Sequence, residues 1–410
     1  MSDAGRFTAS TDVLAELLRP QILHDPWPLY SWLRDNDPVH RTASGVYLLS
    51  RHFDTEWLTR EYQLFRPATP ADGPAKSRSA AMLAETIPST APPVHTRLRR
   101  LIARDFTPRR VQRLTESTER VCDQSLADLV EPLHDGAVVN AHDVSLQLPA
   151  RVFLALLGLP QADWRWLSTA VPVVLAGLTP TATADVIANS DKTTEEMETY
   201  FLRAAAARRE NPKDDLLTAL VSTHDGDPDR LSKDELGVML WSLVLAGFLS
   251  TTSGLDHAIL AVLTNPDHNH WLTGDPARTA SYVEEVLRWG SPSVMNAVAR
   301  ITVNDLEVAG VTVPAGSDLR MLAGSANHDP AVFPDPERFD PTRNSRIQMT
   351  FGGGIHYCLG AHLVRMQTAV LLRRLRLRLP DLALAGTPTR RPNLSLRMVD
   401  DLPVALAGVA

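Results

Sequence analysis

The chain has 410 residues, and at 44% hydrophobic and 22% charged its composition excludes a disordered or fibrous polypeptide. Its formal net charge of −7 excludes a chain-wide basic footprint of the kind that grips nucleic acid. The length exceeds the usual single core and points to two domains or one large one. Of 41 basic residues only Lys76, Lys192, Lys213 and Lys233 are lysines, which reflects the encoding genome before it reflects chemistry. Two cysteines, Cys122 and Cys358, can build neither a disulfide framework nor a four-thiolate metal site, so a reducing cytoplasm fits.

In chain order, Met1 to Leu23 carries Asp3, Arg6, Asp12, Glu16 and Arg19, and has the apolar core of neither a signal peptide nor an anchor. Val39 to Arg41 and Gly45 to Leu49 read as a short strand pair. Residues 67–93, rich in Ala, Pro, Ser and Thr, read as a long loop with one short helix at Ser79 to Glu85; loops of that length are usually functional. Helical patterns follow at 95–106, 108–129, 146–157, 161–178 and 193–209. A long central helix starts at the capping box Ser232/Glu235 and stops at Asn265-Pro266. Its stretch from Leu236 to Leu255 is free of charge and long enough to cross a bilayer. Its hydroxyls, its glycines and the acidic residues on both flanks favour instead the core helix of a large protein. Another helix spans 276–289, and Val303 to Pro314 alternates around a glycine turn as a small hairpin. A proline-punctuated coil from Asp329 to Thr342 leads to three glycines, and a final Arg-rich helix starts near Cys358 and ends at Leu379-Pro380.

The densest chemistry is Phe351-Gly352-Gly353-Gly354-Ile355-His356-Tyr357-Cys358-Leu359-Gly360. The glycines permit a tight turn, the helix N-terminus favours a thiolate, and Gly360 leaves room for a flat object. A thiolate so cradled suits the proximal side of an iron porphyrin, where cysteine pushes electron density onto iron and favours O–O cleavage. A nucleophilic Cys358 with His356 as base is the competing reading, but i and i+2 do not face each other on a helix. Cys122 reads as a small buried hydrophobe.

The segment resembles the haem signature of the cytochrome P450 family, Phe-Gly-x-Gly-x-His-x-Cys-x-Gly, and matches every fixed position. The likeness extends over roughly Asp25 to Leu406 and is greatest to the soluble bacterial branch. It implies a mainly α protein with about a dozen helices and small β-sheets. Residues 25–410 would form a single P450 domain after an N-terminal extension at 1–24. Haem b (iron protoporphyrin IX) would lie between the central helix and the Cys358 helix. Cys358 would ligate the iron, with Phe351 and Gly360 beside it. His95, Arg99, Arg300 and His356 would contact the propionates, leaving Arg97 and Arg100 solvated. Glu285-Val286-Leu287-Arg288 is similar to the family's Glu-x-x-Arg pair, with Arg338 of Pro336-Glu337-Arg338-Phe339 as its expected third partner.

On the distal side the family carries Ala/Gly-Gly-x-Asp/Glu-Thr, whose acid and alcohol relay protons and open a groove in the helix. Here Ala246-Gly247-Phe248-Leu249-Ser250-Thr251 places Leu249 at the acid position and Ser250 at the alcohol. Proton delivery then falls to water, Ser250, Thr251 or the substrate. The expected reaction is oxidation, chiefly hydroxylation, of a small organic secondary-metabolite intermediate. The alternatives are oxidation without oxygen insertion (ring coupling or dehydrogenation), peroxide-driven chemistry, and a non-catalytic haem- or ligand-binding protein. The expected pocket wall includes Val244, Gly247, Phe248, Val294, Met295 and Met398, with Phe248 bulky beside the haem. No flavin or nicotinamide fingerprint appears, so electrons are expected from a ferredoxin and its reductase, docking on Arg109, Arg110, Arg113 and Arg365. No membrane or nucleic-acid partner is expected.

Overall fold

A computed structural model describes residues 7–68, 77–179, 182–227, 230–296 and 298–408. The described helices are α1 (Val13–Glu16), α2 (Pro20–His24), α3 (Trp27–Asn36), α4 (His52–Arg60), α5 (Arg78–Ala84), α6 (Val94–Ala103), α7 (Pro108–Gln112) and α8 (Thr115–His134). There follow α9 (His142–Leu157), α10 (Trp164–Gly177), α11 (Ala184–Glu210), α12 (Leu216–Gly226), α13 (Lys233–Thr264), α14 (Pro276–Gly290), α15 (Ala323–Ala326) and α16 (Ala361–Arg378). The chain divides into two compact units, one of residues 1–66, 126–143 and 253–410, the other of 67–125 and 144–252. The boundary falls inside α13, between Thr252 and Ser253.

All the described strands lie in the first unit. In its largest sheet β1 (Val39–Arg41) and β2 (Tyr47–Leu49) from the start of the chain join β5 (Arg300–Thr302) and β8 (Asp318–Met321) from its later part, with β3 (Phe65–Arg66) at the edge. β2 runs parallel to β8, Leu48 opposite Arg320, and the other pairs are antiparallel. Smaller ladders join β6 (Leu306–Val308) to β7 (Val311–Val313) and β10 (Thr389–Arg391) to β11 (Met398–Asp401). A third sheet sets β12 (Pro403–Leu406) between β4 (Val139–Asn140) and β9 (Leu382–Leu384). The β6–β7 hairpin forms where alternation predicts it, around Ala309 and Gly310, both at positive φ. Residues 7–24, read as an extension, send Phe7, Val13, Leu17 and Ile22 into a core cluster with Leu29, Tyr30 and Leu33.

The described residues of the second unit form helices and their connections, with no strand among them. The α13 cap forms as the sequence predicts: Ser232 Oγ accepts from Glu235 N–H at 3.1 Å, and Glu235 Oε2 accepts from Ser232 N–H at 2.9 Å. Of the long loop, residues 69–76 lie outside the described residues, and α5 occupies the predicted short helix. The single helix expected at 108–129 is two, α7 and α8, broken at Arg113-Leu114. α13 is the one described helix long and apolar enough to cross a membrane, and 78% of its most apolar window is buried inside the protein, as a core helix requires.

Candidate functional site around Cys358

Three glycines shape the approach to Cys358. Gly352 and Gly354 adopt φ of +64° and +60°, a region that side chains avoid. A Cβ on Gly354 would stand 1.9 Å from the carbonyl oxygen of Thr59, and one on Gly353 would stand 2.3 Å from Thr59 Oγ1. The loop therefore packs directly on the C-terminal end of α4. It then closes on itself, the Cys358 N–H donating to the Phe351 carbonyl at 2.9 Å. Cys358 lies three residues before the first residue of α16 and is half-buried, with the N-cap Gly360 beside it. A Cβ at Gly360 would come within 4.0 Å of the sulfur.

α14 is the platform beneath this loop. Glu284 accepts from Arg365 Nε at 2.6 Å and Nη2 at 3.2 Å. Arg365 lies over the Phe351 ring, 4.5 Å from its centroid, and donates to Tyr357 Oη at 3.1 Å. This ties α14 and α16 to both sides of the loop, and it takes Arg365 out of the expected docking face. Thr350 Oγ1 donates to the Leu287 carbonyl at 2.8 Å, one residue before the loop begins.

Glu285 and Arg288 pair as their i,i+3 spacing predicts, and neither is exposed. Arg288 Nη1 also donates to the carbonyls of Asn327 (3.0 Å) and Pro336 (2.8 Å), pinning the preceding coil. The expected third partner is corrected. Arg338 is 66% exposed and pairs with Asp340, while Arg343 reaches Glu285 at 3.2 Å with only 11% of its side chain exposed. Ser345 Oγ and the Asp340 N–H complete the carboxylate at 2.5 and 2.9 Å. The physical reason is that a buried carboxylate requires several partners, and the segment from Asp340 to Ser345 supplies two hydrogen-bond donors and the Arg343 charge. The signal was available in Asp340-Pro341-Thr342-Arg343, a turn that places an arginine just beyond the expected motif.

Of the other residues expected at a haem, Phe351 is buried and His356 and Gly360 are half-buried, all in the first unit. Arg300, at the start of β5, has its pKa pushed down to about 10, first by burial and then by Arg320; Asp318 counteracts. Asp318 itself accepts from Arg320 Nε and Nη2 at 2.7 and 2.8 Å. A cation held this way is stabilised by an added anion, so Arg300 fits a propionate. In the second unit, His95 is buried and Arg99 half-buried on α6, one turn apart. Arg97, expected to be solvated, instead donates through both terminal nitrogens to Glu235 of the α13 capping box.

α13 contributes differently from expectation. Ala246 and Ser250, one turn apart, are exposed, whereas Val244, Phe248 and Leu249 are buried. Phe248 cannot project from the Ala246–Ser250 face, because two residues along an α-helix turn the side chain about 200° away. Gly247 is closed by Phe153, whose Cε2 would lie 1.9 Å from an added Cβ. Of the two expected catalytic hydroxyls, Ser250 is exposed and Thr251 is buried. Ser250 Oγ donates to the Ala246 carbonyl at 2.6 Å, within a helix assigned from Lys233 to Thr264. Val294 and Met398 are buried in the first unit, and Met295 is half-buried.

The donor set suits a porphyrin. A part-exposed thiol stands in a glycine cradle just before α16, and a Cβ at Gly360 would come within 4.0 Å of the sulfur. Among the described residues no cluster of three or more His, Cys, Asp or Glu could hold a bare metal ion.

Comparison with known proteins agrees. The family pattern described as cytochrome P450 matches residues 279–379, which contain Glu285, Arg288 and Cys358. The chain is 42% identical to cytochrome P450 BJ-3 of Bradyrhizobium diazoefficiens, over 97% of each chain. It is 32% identical to cytochrome P450 monooxygenase PikC of Streptomyces venezuelae, over 97% of this chain and 95% of that one. Among solved structures, CalO2 superposes with a TM-score of 0.87 at 29% identity, covering 96% of this chain and 99% of the other. The chain belongs to the cytochrome P450 family and is an oxidoreductase of that type.

Proposed function

We propose that this P450 binds haem b through Cys358 and hydroxylates a small organic substrate, an intermediate of secondary metabolism. The glycine-cradled, half-buried Cys358 carries this reading. Arg300, His356, His95 and Arg99 would contact the propionates, as the family resemblance implies. Bound there, haem supplies an electron-rich iron that activates dioxygen. The protein's own part is to hold the sulfur with Phe351, Tyr357 and Arg365, to orient the substrate, and to offer Ser250 Oγ as a hydroxyl proton donor.

Similar proteins described as 6-deoxyerythronolide B hydroxylase, nocardicin C N-oxygenase and vitamin D(3) 25-hydroxylase support oxygen insertion. A second reading rests on Leu249. A buried apolar residue cannot move a proton, and this favours oxidation without oxygen insertion. A structural neighbour, CxnD, is described as forming a C–S bond (26% identity, TM-score 0.81). Electrons would come from an acidic ferredoxin and its reductase. Arg109, Arg110 and Arg113 are exposed on and just after α7 and support that docking. We take residues 25–410 to act as one P450 domain in the cytoplasm.

The test is a spectral screen of the haem-loaded protein against metabolite libraries, followed by turnover of each hit with ferredoxin, its reductase and labelled dioxygen. A hit that shifts the spectrum and gains one labelled oxygen supports hydroxylation. A product oxidised without label supports the second reading, and hits that bind but never turn over would leave only a ligand-binding protein.

A further inference from the structure

α6 carries a row of groups that the proposed function does not use. Thr96 and Arg100 lie one turn apart and are exposed, about 100° around the helix from His95 and Arg99. Arg97 and Leu101 form the next row, with Leu101 buried. These four residues, with Pro92 and Pro93 ahead of the helix and Arg230 ahead of α13, line an open cleft of about 800 Å³. All of them belong to the second unit.

Arg97 fixes the shape of the cleft. Its Nη1 donates to the Arg230 carbonyl at 2.8 Å and to Glu235 Oε2 at 3.1 Å, and its Nη2 donates to Glu235 Oε1. The Arg230 N–H donates to the Asp227 carbonyl at 3.0 Å, so the backbone bearing Arg230 is held on both sides. This occupies the acid at the cleft. Glu235 also accepts from the Ser232 N–H at 2.9 Å, and the Arg97 hydrogen bond keeps its pKa below the ordinary value. Arg100 and Arg230 have no ion pair or side-chain hydrogen bond among the described residues. In a chain of net charge −7, the cleft thus presents two unpaired cations and a hydroxyl beside an apolar floor of Pro92, Pro93 and Leu101. A small organic ligand needs a concave space of this size, an apolar wall and a few converging polar groups. Unpaired guanidiniums select an oxyanion.

We propose that this cleft binds a free small organic anion. The carboxylate or an equivalent oxyanion meets Arg100 and Arg230, and the hydrocarbon or aromatic part lies on Pro92, Pro93 and Leu101. The Thr96 hydroxyl adds a neutral donor. The site lies wholly in the second unit and does not depend on the haem assignment.

The experiment is isothermal titration calorimetry of the full-length, haem-loaded protein with 2-naphthoate, its neutral analogue 2-naphthamide, and inorganic phosphate. Saturating 4-phenylimidazole, an aromatic ligand of haem iron, is present throughout to keep the probes away from the haem. We expect saturable binding of 2-naphthoate, weakened about fivefold or more in Arg100→Ala and in Arg230→Ala. 2-Naphthamide should bind about tenfold or more weakly than the acid. Both arginines are exposed, so the variants should keep the wild-type Tm. Should either Tm fall, Arg100→Gln or Arg230→Gln decides by the same criterion. No saturable binding of 2-naphthoate overturns the site, as does an affinity unchanged in either variant, or 2-naphthamide binding as tightly as the acid. Phosphate binding as tightly as 2-naphthoate would overturn the organic class of the ligand.

Discussion

Arg288 is locked onto Glu285 by two hydrogen bonds, Nη2 to Oε1 at 2.6 Å and Nε to Oε2 at 2.7 Å, with neither side chain exposed. A surface pair at this spacing contributes little, but a buried pair sealed by Arg343, Ser345 and the Asp340 amide is a fixed joint. It sets the coil that delivers Met349 and Thr350 to the cysteine loop.

That joint separates two arginines five residues apart. Arg343→Ala removes a cation from a buried carboxylate and is expected to cost about 2–4 kcal/mol. Arg338→Ala acts on an exposed pair and is expected to cost within about 0.5 kcal/mol. Chemical denaturation of both variants checks the order. Equal effects would restore Arg338 as the partner.

The Gly352 and Gly354 positions give a second contrast. Gly354→Ala drives a methyl group into the Thr59 carbonyl at a positive φ, whereas at Gly352 the nearest atom is Met321 Cε at 3.7 Å. Gly352→Ala should cost about 1 kcal/mol from backbone strain, and Gly354→Ala clearly more. The ratio of Soret to protein absorbance in purified material should fall steeply only for Gly354→Ala.

His142 links pH to the stability of the first unit. Burial pulls its pKa down, but the Asp256 hydrogen bond and charge more than reverse this and leave it raised above 6.5. A raised folded pKa gives stability that is fully present below the unfolded value and is lost as pH rises through the folded one. The stability difference between wild type and His142→Gln should therefore be larger at about pH 6 than at about pH 9. A difference that grows with pH would contradict the assignment.

Leu249 tests the distal side. Placing a carboxyl there with Leu249→Glu should raise the fraction of NADPH electrons recovered in product, and removing the hydroxyl with Ser250→Ala should lower it. Unchanged coupling in both variants would take this stretch of α13 out of proton delivery.

Much of this was legible in the sequence. The cysteine loop, the Glu285–Arg288 pair, the Ser232/Glu235 cap and the β6–β7 hairpin are local patterns, set by residues a few positions apart. What could not be read depends on packing. Arg343 rather than Arg338 meets Glu285 because of how the turn at Asp340 folds. Which side of α13 stays open could not be taken from a helix apolar nearly all round, so Phe248 was expected where Ala246 and Ser250 stand. Arg97 finds Glu235 across 138 residues, a partner that no spacing rule supplies.

The central claim is that the Cys358 sulfur ligates haem iron. The direct measurement is the absorption spectrum of the reduced, carbon monoxide-treated protein beside Cys358→His. The account predicts the red-shifted Soret band of a thiolate-ligated haem in wild type and its loss in the variant, with haem still bound. Wild-type protein that lacks this band after expression with ample haem, or a variant that keeps it, would contradict the claim.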